Sequence, residues 1–242
     1  MKKKILFLGA AIILIMAGIA SYSLASGSSI FFTKWGQFLH DNNSNSSGTY
    51  RTFRNEYPDV KAESVNPEDV FAIGKDILIT NTEINQAVEF YTLSGDNKDD
   101  STTKAVSYAE TYESLYLEAI KNGCSVTEDE VKGKVEELKE LMDTAENKDE
   151  IKKVMDPFGS EEAYWEYEYK VYTKSLPIEK YRASLEETFA DQSQYEQGSE
   201  EYLDAWNKWY DAYQKELVNK QEFQLTSELS EDQIQNMLKD FR

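Results

Sequence analysis

Five times along the chain a serine or threonine stands just ahead of an acidic turn: Thr80-Asn81-Thr82-Glu83, Thr127-Glu128-Asp129-Glu130, Ser160-Glu161-Glu162, Ser199-Glu200-Glu201 and Ser230-Glu231-Asp232-Gln233. A hydroxyl in that place accepts an otherwise unpaired N–H of the first helical turn, and a Glu or Gln three residues on can return the bond, so each marks a helix start. Apolar residues follow at helical spacing: Ile84, Ala87, Val88 and Tyr91; Val131, Val135, Leu138 and Met142; Trp206, Tyr210, Tyr213 and Leu217; Ile234, Met237, Leu238 and Phe241. A further helix is expected from about Thr102 to Asn122, with Ala105, Tyr108, Ala109, Tyr112, Tyr116 and Ile120 inward and Gly123 at its C-cap. Ile151, Val154 and Met155 suggest a short helix ended by Pro157 and Gly159, and the run from Ser160 should continue, bent at Pro177, towards Phe189. Only Val70 to Ile79 reads as β, two short runs flanking Gly74-Lys75-Asp76 as a hairpin. Eleven glycines and four prolines in 242 residues agree with a mainly α fold carrying a small N-terminal β-hairpin.

Charge and composition narrow the function. Twenty-six Lys and Arg against 45 Asp and Glu give −19, which argues against nucleic acid, since phosphate binding runs on surplus cations. One histidine (His40) and one cysteine (Cys124) exclude an intramolecular disulfide and leave too few ligands for a zinc site, so no metal or cofactor is expected. The body has no phosphate-cradling glycine loop, no Gly-x-Ser-x-Gly elbow and no histidine for a triad. Adjacent carboxylates such as Glu136-Glu137 and Glu161-Glu162 read as solvated helix turns rather than an acid–base pair. No catalytic residue is assigned, and the chain is expected not to be an enzyme.

The amino terminus reads as an address. Lys2, Lys3 and Lys4 precede an uncharged run from Ile5, and Ser23 and Ala25 suit a signal-peptidase site. The same 21 residues, Ile5 to Ala25, are also long enough to stay as a membrane anchor. Either way the body is expected outside the cytoplasm, secreted or anchored at the cell envelope. Residues 26–66 are expected as a polar linker on account of Asp41 to Gly48. Within it Phe31, Trp35, Phe38 and Leu39 share a helical face, which could graze a membrane or dock on the body. The main domain is expected over 67–223, with a short amphipathic helix over 224–242.

The aromatic content is the unusual feature: 16 tyrosines and four tryptophans, many between Tyr164 and Tyr213. Residues 164, 167 and 171 share one face of a helix and 165, 169 and 172 another. One helix seldom buries two aromatic faces in so small a body, so some rings could line a groove; core packing is the competing reading. The groove candidates are Tyr164, Trp165, Tyr169, Tyr172, Trp206 and Tyr210.

The order of motifs is informative in its own right. A hairpin runs into Ile79-Thr80, a capped helix follows, and a long helix ends Ala119-Ile120-Lys121-Asn122-Gly123. Cys124 to Val131, then Phe158-Gly159-Ser160-Glu161-Glu162 and an aromatic helix come next. This resembles the N-terminal chaperone domain of SurA-like and PrsA-like extracytoplasmic foldases, related to the peptide-binding region of trigger factor. The resemblance covers about residues 66–190, with Trp206 to Phe223 resembling the family's returning C-terminal helix. It implies a multi-helix peptide-binding lobe that holds unfolded or partly folded exported polypeptides, with Trp165 and Trp206 on segments that face each other. Such proteins often carry a parvulin-type prolyl isomerase domain between the two segments; here only Ala190 to Ser199 fill that gap, so isomerase activity is not implied. The alternative is a membrane-tethered envelope adaptor that uses the same fold for one specific partner.

Overall fold

The computed structural model describes residues 29–43 and 66–241. The signal or anchor reading of residues 1–25 and the polar stretch Ser44 to Gly48 lie outside them. The described residues form a mainly helical protein with one small antiparallel sheet. In chain order the elements are α1 (Ser29–Asn43), β1 (Val70–Ile73), β2 (Leu78–Thr80), α2 (Asn81–Leu93), α3 (Lys98–Lys121), α4 (Glu128–Met142), α5 (Lys148–Met155), α6 (Glu161–Gln192), α7 (Glu200–Gln221), β3 (Gln224–Leu225) and α8 (Glu231–Leu238).

Helix starts follow the local chemistry. Thr80, Thr127 and Ser230 form reciprocal capping boxes with Glu83, Glu130 and Gln233, while the Ser160 and Ser199 hydroxyls accept from the N–H of Ala163 and Tyr202. The third helix differs: it begins at Lys98, four residues before the expected Thr102, because the Asn97 side chain accepts from the N–H of Asp99 and Asp100. At its other end Gly123 takes φ +75°, and the N–H groups of Gly123 and Cys124 reach back to Ile120 and Ala119. This is the paired closure that a left-handed residue makes there. Helix α6 stays helical through Pro177, which is buried with Ile178.

The sheet order is β2–β1–β3. Val70 pairs with Thr80 but Ala72 with Ile79, so Phe71 is an extra residue in β1. That bulge shifts the in–out alternation by one and puts Val70 and Ile73 on the same face. With Leu78 they pack on Leu238 and Phe241 at the chain's end, while Ala72 and Ile79 pack against Ile84 of α2 and Ala109 of α3. Residues 224–241 are thus woven into the body: β3 pairs with β1, and the Thr226 hydroxyl donates to the Val70 carbonyl beside the bulge.

Helix α1 belongs to the core rather than to a linker. Trp35 and Leu39 are buried, Trp35 meets Phe90 edge-on at 5.3 Å, and Phe31 and Phe38 are partly buried against the same cluster. The linker expected over 26–66 therefore does not hold for 29–43, and of the two readings of the Phe31–Leu39 face, docking on the body is the one realised. The close approach is made at Gly36, where a β-carbon would lie 2.8 Å from Val154 Cα of α5.

Candidate binding surface and buried charge node

Five of the six groove candidates are core residues. Tyr164, Trp165 and Tyr172 are buried in one cluster with residues of α1, α2, α4 and α5, and Tyr169 packs on it half-buried. Both aromatic faces of α6 are covered. Tyr164 and Tyr167 meet Phe158 on one side, with Gln86 of α2 donating to the Tyr167 hydroxyl at 3.2 Å. Lys139 and Lys134 of α4 lie over Trp165 and Tyr172 on the other, at 5.7 and 5.9 Å. Trp206 and Tyr210 are buried in a separate cluster with Leu115 of α3 and Ile178 of α6. Trp165 and Trp206 therefore sit in different parts of the core and do not close a shared cleft. These rings hold helices together and offer no open groove.

What remains open is the outer end of the second cluster. Trp209 stacks on Trp206 at 5.4 Å and on Tyr213 at 5.3 Å, with Phe189 of α6 tilted against it at 5.7 Å. Trp209 is 38% exposed, whereas Trp35, Trp165 and Trp206 are buried, and Phe189 and Tyr213 are partly exposed beside it. The stack is pinned by a 2.5 Å hydrogen bond between the hydroxyls of Tyr213 and Tyr181. Trp209 stands at the edge of the face that carries Trp206, Tyr210 and Leu217, about 60° round the helix from Trp206, so its partial exposure was not legible from the apolar stripe. An open depression along α3, lined by Asp99, Thr102, Thr103, Val106, Ser107 and Glu110, draws its walls from one helix and converges on no common point.

A second feature was not legible as a site. Lys174 of α6 pairs with Glu83 of α2 at 2.9 Å and with Glu113 of α3 still more closely. The Glu83 carboxylate also accepts from the backbone N–H and hydroxyl of Thr80, so the cap that starts α2 is tied to the middle of α6. The Lys174 ammonium lies 5.6 Å from the ring centres of both Tyr112 and Tyr116, and the Tyr112 hydroxyl bonds Ser175 at 3.0 Å. Burial pushes Glu113 well above the usual carboxylate range, helped by the charge of Glu83. Burial also pushes Glu83 up, but the Lys174 charge and its hydrogen bonds outweigh that and hold it low. A glutamate on the inward stripe, four residues after Ala109, was the available signal.

Nearby, the Tyr164 hydroxyl donates to buried Glu168 at 2.5 Å, a bond made within one helix. Cys124 is partly buried and in no disulfide. Among the described residues no group of His, Cys, Asp and Glu is placed to hold a metal ion, and no helix is long and apolar enough to cross a membrane.

Comparison of the chain with protein-family models, with curated proteins and with solved structures finds no match in any of the three.

Proposed function

We propose that this chain is an extracytoplasmic chaperone- or foldase-like module, of SurA-like build, that binds extended or partly folded exported polypeptides and has no prolyl isomerase activity of its own. The observation that carries the reading is Trp209, stacked between Trp206 and Tyr213 yet left partly open while the chain's other tryptophans are buried. A pre-stacked ring loses little entropy on binding and offers apolar area to any segment that lies across it. Covering its remaining ~100 Å² is worth about 2 kcal/mol at about 25 cal/mol per Å², a modest anchor suited to transient, sequence-tolerant holding. The order of hairpin, capped helices, aromatic helix and returning helix supports the same reading.

The test is suppression of aggregation of two unrelated chemically denatured proteins by the purified chain. Holding of both is expected, weakened several-fold in Trp209→Ala, with the melting temperature lowered far less than in Trp206→Ala. Absence of holding at excess chain overturns the proposal. A single stoichiometric partner in crosslinking from the envelope would favour the adaptor instead.

A further inference from the structure

Glu83, Glu113 and Lys174 come from three different helices and meet at one point. Both carboxyl groups contact the same ammonium. With each group in its usual ionic form, the node would hold two negative charges against one positive. The three are not equally wet. The Glu83 and Lys174 side chains keep 28% and 27% of their surface, the Glu113 side chain only 2%. Glu83 has two Thr80 donors to steady its charge, whereas Oε2 of Glu113 is sealed from solvent and accepts no hydrogen bond. The ammonium reaches only Oε1 of Glu113, a surplus negative charge costs most beside an oxygen that neither water nor a donor reaches, and a proton on the sealed acid removes it. We propose that Glu113 carries a proton in the folded protein at neutral pH and that the node is a proton-linked latch: α3 parts from α6 here only with release of that proton.

The other groups facing the node keep one state through the neutral range. From α3, Tyr108, Tyr112 and Tyr116 face it, and burial raises all three phenols further above neutrality. From α6, burial pushes Lys174 down, but its carboxyl neighbours outweigh that, and ionised Glu83 holds the ammonium charged. From α2, Glu83 stays ionised. Once α3 and α6 separate, Glu113 meets water, returns towards its ordinary value of 4.5 and gives up the proton. Its raised value in the closed form sets the sign: the contribution of Glu113 to the closed form is complete below about 4.5 and is lost, by up to about tenfold per pH unit, as pH rises towards that raised value. The latch loosens as pH rises.

Amide hydrogen exchange on the full chain across the neutral range, corrected for intrinsic exchange chemistry, reads the opening of α3 and α6 around Glu113 and Lys174. Infrared spectroscopy reads the protonated carboxyl directly. A carboxylic-acid carbonyl band is expected at neutral pH in the wild type and absent in Glu113→Gln. Opening is expected to rise with pH in the wild type and to be flat in that variant. The wild-type infrared measurement decides even if the variant folds poorly, because absence of the band at neutral pH overturns the proposal. So does a band that survives in Glu113→Gln, an equal pH dependence in both proteins, or a wild-type dependence that is the same in every helix and so belongs to global unfolding.

Discussion

Trp206 and Trp209 sit three residues apart on α7 and stack on each other, yet one is 2% exposed and the other 38%. Trp206→Ala should therefore lose about 3–5 kcal/mol of stability, the cost of a large buried ring and its cavity. Trp209→Ala should lose less, about 1–2 kcal/mol, because part of the ring is already in water, and urea unfolding of the pair separates the two roles. Trp165→Ala belongs with Trp206, since Trp165 is 6% exposed between α4 and α6. Lys174→Met tests the charge node from its other side. Removing the ammonium leaves Glu83 and Glu113 facing each other without a cation, and about 3 kcal/mol should be lost; the partial exposure of Lys174 places this at the lower end for a broken buried pair.

At the scale of elements, two attachments differ in kind. Helix α1 is packed closely against α5, and Gly36 sets how closely the two approach. Gly36→Ala puts a methyl group against Val154 backbone, which cannot move aside as a side chain could. About 1–3 kcal/mol of overpacking is expected, appearing as faster amide exchange in α1 and α5 before the rest of the protein. The start of α4 is held electrostatically: Glu130 accepts from Lys180 of α6 at 2.9 Å and from the Thr127 N–H at 2.8 Å. The Lys180 bond first, and the Thr127 bonds after it, lower the Glu130 value to about 2. A depressed carboxylate contributes stability that is complete above its ordinary 4.5 and is lost as pH falls towards 2. A carboxyl-resolved NMR titration should find the Glu130 midpoint near 2 in the wild type and markedly higher in Lys180→Met.

For the whole molecule, the two ends of the body depend on each other. The Gln221 carbonyl and side chain accept from the N–H of Lys75 and Asp76, Phe223 lies against Gly74, and β3 pairs with β1. Deleting residues 223–242 uncovers Val70, Ile73 and Leu78 and leaves β1 an open edge. The truncated chain should bind a hydrophobic dye and lose the sharp single transition of the full chain, as followed by circular dichroism during heating.

The helix starts at Thr80, Thr127, Ser160, Ser199 and Ser230 were legible because a cap is completed within four residues of chain. The same holds for the Gly123 stop and the Gly74–Asp76 turn. The start at Lys98 was missed even so, since Lys98-Asp99-Asp100 has no apolar stripe to set beside its Asn97 cap. Of the aromatic residues, sequence established number and spacing but not partners. Two covered faces on α6 require α4 on one side and α2 with Phe158 on the other, and those contacts span up to about eighty residues. The docking of α1, the third strand and the meeting of Glu83, Glu113 and Lys174 are decided in the same way. Capping, turns and periodicity are satisfied by near neighbours and can be read along the chain. Burial belongs to whichever distant surface arrives, and only the packed structure determines that a glutamate on an inward stripe is sealed or that one tryptophan of four is left in the open.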